Sequence, residues 1–175
     1  KRELDELHAN DVRVTAIGKI NALPRSVQRV LQESIEKTAD NRGLGLTLAL
    51  SYGARQDIAR AVQMIALDVR SGKISPEDLT EDAIRRRLDT AGIPDPDLII
   101  RTSGEMRLSN FLLWEAAYAE IYVTEQQWPS FRRTDYVRAL ADYTCRERRF
   151  GKTSEQLMNQ GNEADDRSTL QRILH

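Results

Sequence analysis

Residues 44–71 read LGLTLALSYGARQDIARAVQMIALDVRS. The first seven alternate strictly, with leucine at 44, 46, 48 and 50 and the small residues Gly45, Thr47 and Ala49 between them. Period two is the mark of a strand, here with one bulky face and one face that lets a helix approach closely. After the loop Ser51-Tyr52-Gly53-Ala54-Arg55 the period changes. Ile58, Val62, Ile65 and Val69 fall on one side of a helix predicted over 56–71. A leucine strand feeding directly into a helix points to an α/β fold.

The same alternation runs outward in both directions. Upstream, Leu4 and Leu7 give a short helical stripe, and Val12–Ile17 is an alternating β-branched strand stopped by Gly18. Pro24 stands where a helix begins, Val27, Val30, Leu31 and Ile35 follow at helical spacing, and Asn41-Arg42-Gly43 stops the run. Downstream, Ser75-Pro76-Glu77 is a helix start, and a helix over about 80–90 follows. Leu98–Ile100 is a buried strand, a helix is predicted over 109–118, and 120–123 is another strand. Thr134 caps a last helix to about Arg149, with Val137, Leu140 and Ala141 facing in. The expectation is an α/β domain, a mostly parallel sheet of about four strands flanked by helices.

The 175 residues fit one domain with a real core. The net charge of −1 gives no overall pull towards nucleic acid, and basic residues do not cluster on one element with aromatics between them. No nucleic-acid partner is expected. Two histidines at opposite ends, His8 and His175, argue against a His-rich zinc site. One cysteine, Cys145, excludes an internal disulfide and agrees with a reducing, cytoplasmic location. No apolar run approaches the roughly 20 residues of a membrane span. The opening KRELDEL reads as the middle of a helix, which suggests that the chain starts inside a longer protein. Residues 152–175 are polar and read as a tail.

In an open parallel sheet, ligands sit beyond the carboxyl ends of the strands. Two loops fall there, 51–55 and 101–109, the second reading RTSGEMRLS. They supply Arg55, Arg101 and Arg107 with several hydroxyls, a set suited to an anion such as a diphosphate. Glu105 is placed to orient Arg101 or Arg107. Glu120, at the start of the next strand, is a candidate magnesium ligand, since magnesium usually takes one or two protein carboxylates and completes its shell with phosphate oxygens and water. Phe111, Leu112, Leu113 and Trp114 are expected in the core.

RTSGEMRLSNFLLWEAAYAEIY at 101–122, with WPSF at 128–131, SYGAR at 51–55, DPDLIIRTSGE at 95–105 and RERRFG at 146–151, resembles the cis-prenyltransferase family, and within it the bacterial undecaprenyl diphosphate synthase type. The resemblance covers roughly residues 1–151. It implies condensation of isopentenyl diphosphate with an allylic diphosphate such as farnesyl diphosphate, giving a long cis-polyprenyl diphosphate that serves as precursor of a cell-wall lipid carrier. It also implies Mg²⁺, a homodimer, and at most peripheral membrane contact for product release. Arg101, Arg107 and Ser109 match the diphosphate site, and Glu120 the magnesium carboxylate. Glu105 matches a motif glutamate, and Met106 stands where some members have histidine. Leu44, with Leu46 and Leu48 beside it, matches the product tunnel. Arg149 and Gly151 match an R-x-G motif that reaches towards a partner subunit.

The family's D-G-N-x-R-W loop, which holds the catalytic aspartate, has no counterpart in the 175 residues. The resemblance therefore implies the C-terminal part of such an enzyme, inactive by itself. The alternative is a non-catalytic subunit of a heteromeric transferase. Retention of Arg101, Arg107 and Ser109 favours the catalytic lineage.

Overall fold

The structure, a computed structural model, describes residues 2–146. Among them the order is α1 (Arg2–Ala9), β1 (Arg13–Ile17), α2 (Arg25–Lys37), β2 (Gly45–Ala49), α3 (Ala54–Arg70), α4 (Glu81–Arg85), β3 (Leu98–Arg101), β4 (Glu120–Val123) and α5 (Arg133–Thr144). Short 3₁₀ turns lie between several of these. The α/β alternation read from the sequence holds. The chain forms two compact units, residues 1–99 with 106–119, and residues 100–105 with 120 onward.

The four strands pair in twos, β1 with β2 and β3 with β4. β1 and β2 run parallel, in register from Arg13 opposite Gly45 to Ile17 opposite Ala49. The other edge of β1 shows why that pair takes no third strand locally. The Val14 amide donates to Oγ1 of Thr38 at 3.0 Å, and the Val12 carbonyl accepts from Nδ2 of Asn41 at 2.8 Å. Both edge groups point away from β2, and side chains just past the end of α2 satisfy them. Thr38 is fully buried and also donates to the Ser34 carbonyl at 2.8 Å.

The first unit's core is Val12, Val14, Ile17, Leu31, Ala54, Ala61, Ile65, Ala83 and Leu88. On α3 the buried stripe is Ala54, Asp57, Ala61 and Ile65, whereas Val62 is half exposed. The stripe is turned by about one residue, roughly 100° of helix, from the side expected by apolar content. Small alanines on the buried side allow close approach of neighbouring segments, α4 among them. In the second unit α5 packs on β4 and buries Ala139. α5 ends at Thr144, short of the expected Arg149, and residues beyond 146 lie outside those described.

The predicted helix over 109–118 is not an α-helix. Ser109, Asn110 and Leu112 have positive φ, which breaks an α-helical hydrogen-bond ladder. Only Glu115–Tyr118 winds, as a 3₁₀ turn. Tertiary bonds hold the unusual backbone. Asn110 accepts from the Ala54 amide through its carbonyl and from the Arg55 amide through Oδ1, both at 2.9 Å, and its amide donates to Gln56 at 2.9 Å. Phe111 and Leu113 are consequently partly exposed, not core.

Candidate functional site

The turn after β3 belongs to the second unit. Ser103 and Gly104 both adopt left-handed backbone, φ 68° and 67°. Their amides donate to the Gln126 and Thr124 carbonyls at 2.9 Å, and the Thr124 amide donates to the Arg101 carbonyl at 2.9 Å. Arg101 is thus fixed at a strand end by backbone bonds on both sides of its turn. Its guanidinium, part-buried, pairs with Glu105, so Glu105 orients Arg101 as its position suggested. The Glu125 carboxylate lies flat against Gly104, where a Cβ would meet Oε2 at 2.6 Å. Glycine takes that left-handed backbone without strain and leaves room for that carboxylate, which a side chain would have to displace.

Glu120 opens β4. Its Oε2 accepts from Nη1 of Arg146 at 2.9 Å. Arg146 also donates to the Ile121 carbonyl at 3.0 Å and to Asp142 through Nε and Nη2 at 2.8 and 2.6 Å. Hydrogen bonds to Glu120 and Asp142 hold the Arg146 pKa above its ordinary value, Glu120 contributing most. Among the described residues no three Asp, Glu, His or Cys side chains gather as a metal cage. The donor set nevertheless fits magnesium in its usual protein mode, one carboxylate plus substrate phosphate oxygens and water. Glu120, Asp142 and Arg146 together carry one net negative charge, which suits a cation.

Arg107 and Ser109 are exposed and fall in the first unit, as does Met106, which is 88% exposed. Ser109 begins a left-handed turn, so it stands at no helix start. Arg55 is exposed on the first turn of α3. Leu46 and Leu48 line an apolar groove of about 500 Å³ with Leu4, Leu7, Val30 and Leu31. Leu44, just before β2, is 68% exposed and outside that groove. The leucine face of β2 is therefore the wall of an open groove instead of closed core. Arg149 and Gly151 lie outside the described residues.

A second cavity, about 910 Å³, opens beyond the carboxyl ends of β1 and β2, with Lys19, Tyr52, Gln56, Asp57, Arg60 and Asp89 on its walls. Sequence reasoning missed its network. The Asp57 carboxylate is buried and accepts from the Asp89 amide at 3.0 Å and from Arg60. Arg60 donates to Asp89 at 2.6 Å, and Asp89 accepts from the Gly18 amide at 3.1 Å. These bonds tie the start of α3 to the segment after α4 and to the end of β1. The signal was an acid among the alanines of one helical stripe. Nearby, Glu115 is buried and accepts from the Thr90 hydroxyl, while its Oε2 and the Tyr52 hydroxyl have no hydrogen-bond partner among the described residues. Burial, then the charges of Glu115, Asp57 and Asp89, push the Tyr52 phenol well above its usual value. Among the described residues no helix is long and apolar enough to cross a membrane.

Solved structures share this fold. The chain matches lavandulyl diphosphate synthase from Lavandula x intermedia, solved with dimethylallyl diphosphate, at TM-score 0.83 and 38% identity, over 86% of this chain and 65% of that one. It matches a probable undecaprenyl diphosphate synthase from Campylobacter jejuni at TM-score 0.71 and 38% identity, over 86% of this chain and 70% of that one. The fold is that of the prenyl diphosphate synthases of this α/β class. The chain belongs to the undecaprenyl diphosphate synthase (Prenyltransf) family, whose profile matches residues 1–151. Isoprenyl transferase of Geobacter sulfurreducens is 50% identical over 155 residues, 89% of this chain and 63% of the relative. That of Heliobacterium mobile is 51% identical over 150 residues, 86% of this chain and 58% of the relative. The chain thus spans about three fifths of the length of these curated relatives.

Proposed function

We propose that the chain is the diphosphate-gripping part of a cis-prenyltransferase. That enzyme condenses isopentenyl diphosphate with an allylic diphosphate, farnesyl diphosphate being the expected primer, to build a polyprenyl diphosphate for cell-wall lipid carriers. The observation that carries the reading is the Arg101 turn, an arginine held at a strand end by Glu105 and by backbone bonds to 124–126. Such a guanidinium is oriented before ligand arrives, so little side-chain freedom is lost on binding. Arg107 and Ser109 supply further donors, and Arg149 with Gly151 is assigned to the same substrate by the motif it matches.

Glu120 would hold Mg²⁺, which supplies charge stabilisation to the departing diphosphate. The chain's own residues bind and orient the condensing unit's diphosphate, and the groove lined by Leu46 and Leu48 takes growing hydrocarbon. Leu44, which lies outside that groove, is assigned to the far end of the product tunnel by the motif it matches, and chain-length analysis of products from Leu44→Ala tests that. Exposed Trp128, stacked on Phe131 with ring centroids 5.9 Å apart, supports a homodimer contact, which sedimentation at micromolar concentration tests. Residues 1–151 are read as one part-domain and 152–175 as a tail, in a cytoplasmic enzyme. Ionisation of the allylic diphosphate calls for a second cradle and a further carboxylate, so these 175 residues alone are expected not to turn over.

The test is kinetic. Charge-assisted contacts contribute up to about 3 kcal/mol, so Arg101→Ala and Arg107→Ala in the full-length enzyme raise KM for isopentenyl diphosphate about a hundredfold. An unchanged KM in both variants removes the assignment.

A further inference from the structure

On α5 and just past it, Asp142 and Arg146 are four residues apart and share a face. The guanidinium uses its whole fork. One edge, Nε and Nη2, is taken by Asp142, and Nη1 spans the Glu120 carboxylate and the Ile121 carbonyl. A planar group held along two edges cannot swing away from β4 without breaking both sets of bonds.

The charge arithmetic distinguishes two roles. An arginine alone on Glu120 would cancel its charge and compete with a cation. Here Asp142 balances Arg146, and the cluster of one arginine and two acids keeps one negative charge. We propose that Arg146, charge-balanced by Asp142, is the positioning residue that aims Glu120 at a divalent cation. The inference rests on reading Glu120 as the metal carboxylate and deepens it. Partners that hydrogen-bond a ligating carboxylate fix its orientation, and their loss typically weakens metal binding tenfold or more. The less obvious consequence falls on Asp142, which would touch neither metal nor substrate. Without it the guanidinium keeps its hold on Glu120 but carries an unbalanced positive charge towards the cation.

The experiment titrates Mn²⁺ into the full-length protein with inorganic diphosphate present, following free Mn²⁺ by electron paramagnetic resonance, with thermal unfolding of each variant alongside. Glu120→Gln weakens binding. Arg146→Met weakens it about tenfold and Arg146→Lys restores part, because lysine keeps the charge without the fork. Asp142→Asn, at a half-exposed position, weakens it about fivefold with unfolding unchanged. A merely structural ion pair would move the unfolding temperature and leave the titration alone. If Glu120→Gln weakens Mn²⁺ binding while Arg146→Met and Asp142→Asn bind as the parent does, the positioning role is overturned and the metal reading stands. If Glu120→Gln itself binds as the parent does, both fall.

Discussion

Thr38 offers the sharpest test of how β1 is held. The residue is fully buried, and its hydroxyl accepts from the Val14 amide at 3.0 Å and donates to the Ser34 carbonyl at 2.8 Å. Val14 is itself buried, so no water replaces the hydroxyl. Thr38→Val keeps the shape and removes the oxygen. The Ser34 carbonyl retains the Thr38 backbone amide at 3.2 Å, but the Val14 amide is orphaned. A buried unsatisfied amide costs about 1–3 kcal/mol, and exchanging hydroxyl for methyl returns less than about 1 kcal/mol. The expected net loss is about 2 kcal/mol, a large share of a typical 5–15 kcal/mol. Thr38→Ser keeps both bonds and loses one methyl, about 1 kcal/mol. Valine should therefore be worse than serine, the reverse of the order hydrophobicity gives. Urea unfolding with unchanged slope measures it, and hydrogen exchange at the Val14 amide should quicken only in the valine variant. A valine variant as stable as the parent, or more stable than the serine one, would refute the edge-capping argument.

Two further outcomes follow from the same bookkeeping. Tyr52 has a buried hydroxyl without a partner among the described residues and a phenol pKa raised above the ordinary 10.0. A raised folded-state value contributes stability below pH 10 that is lost as pH climbs above it. Tyr52→Phe should be neutral or slightly stabilising at pH 7 and should flatten the alkaline loss in a pH series of unfolding midpoints; an unaltered alkaline limb would contradict the assignment. Gly104→Ala forces a Cβ onto φ 67° and against the Glu125 carboxylate. The backbone strain costs about 1–2 kcal/mol, while Glu125 is exposed and can swing aside. Adding Glu125→Ala should therefore recover less than half of the loss in a double-mutant cycle.

Periodicity made the strands and most helices legible, because a buried face must repeat with the element's own pitch. Val12–Ile17, Leu44–Leu50 and 120–123 were readable for that reason, and so was the placing of Arg101 at a strand end. Residues 109–118 were not. Their apolar run has helical composition, yet Asn110 is captured by the start of α3, and left-handed Ser109, Asn110 and Leu112 end any ladder. The α3 stripe was misplaced because apolar size was taken as the guide, while Ala54, Asp57 and Ala61 are buried by proximity to their neighbours.

By itself, then, the sequence determined the alternation of elements, the arginine turn at a strand end and the motif set that marks the family. Those are local properties, set by spacing and side-chain type within a few residues. The tertiary structure alone decided that Glu120 meets Arg146 across 26 residues, that Thr38 closes an edge of β1 from 24 residues away, and that Asp57, Arg60 and Asp89 join three segments. Each is a polar pairing between distant parts of the chain. Polar partners carry no periodic signature, because a hydrogen bond constrains two atoms and leaves the intervening sequence free.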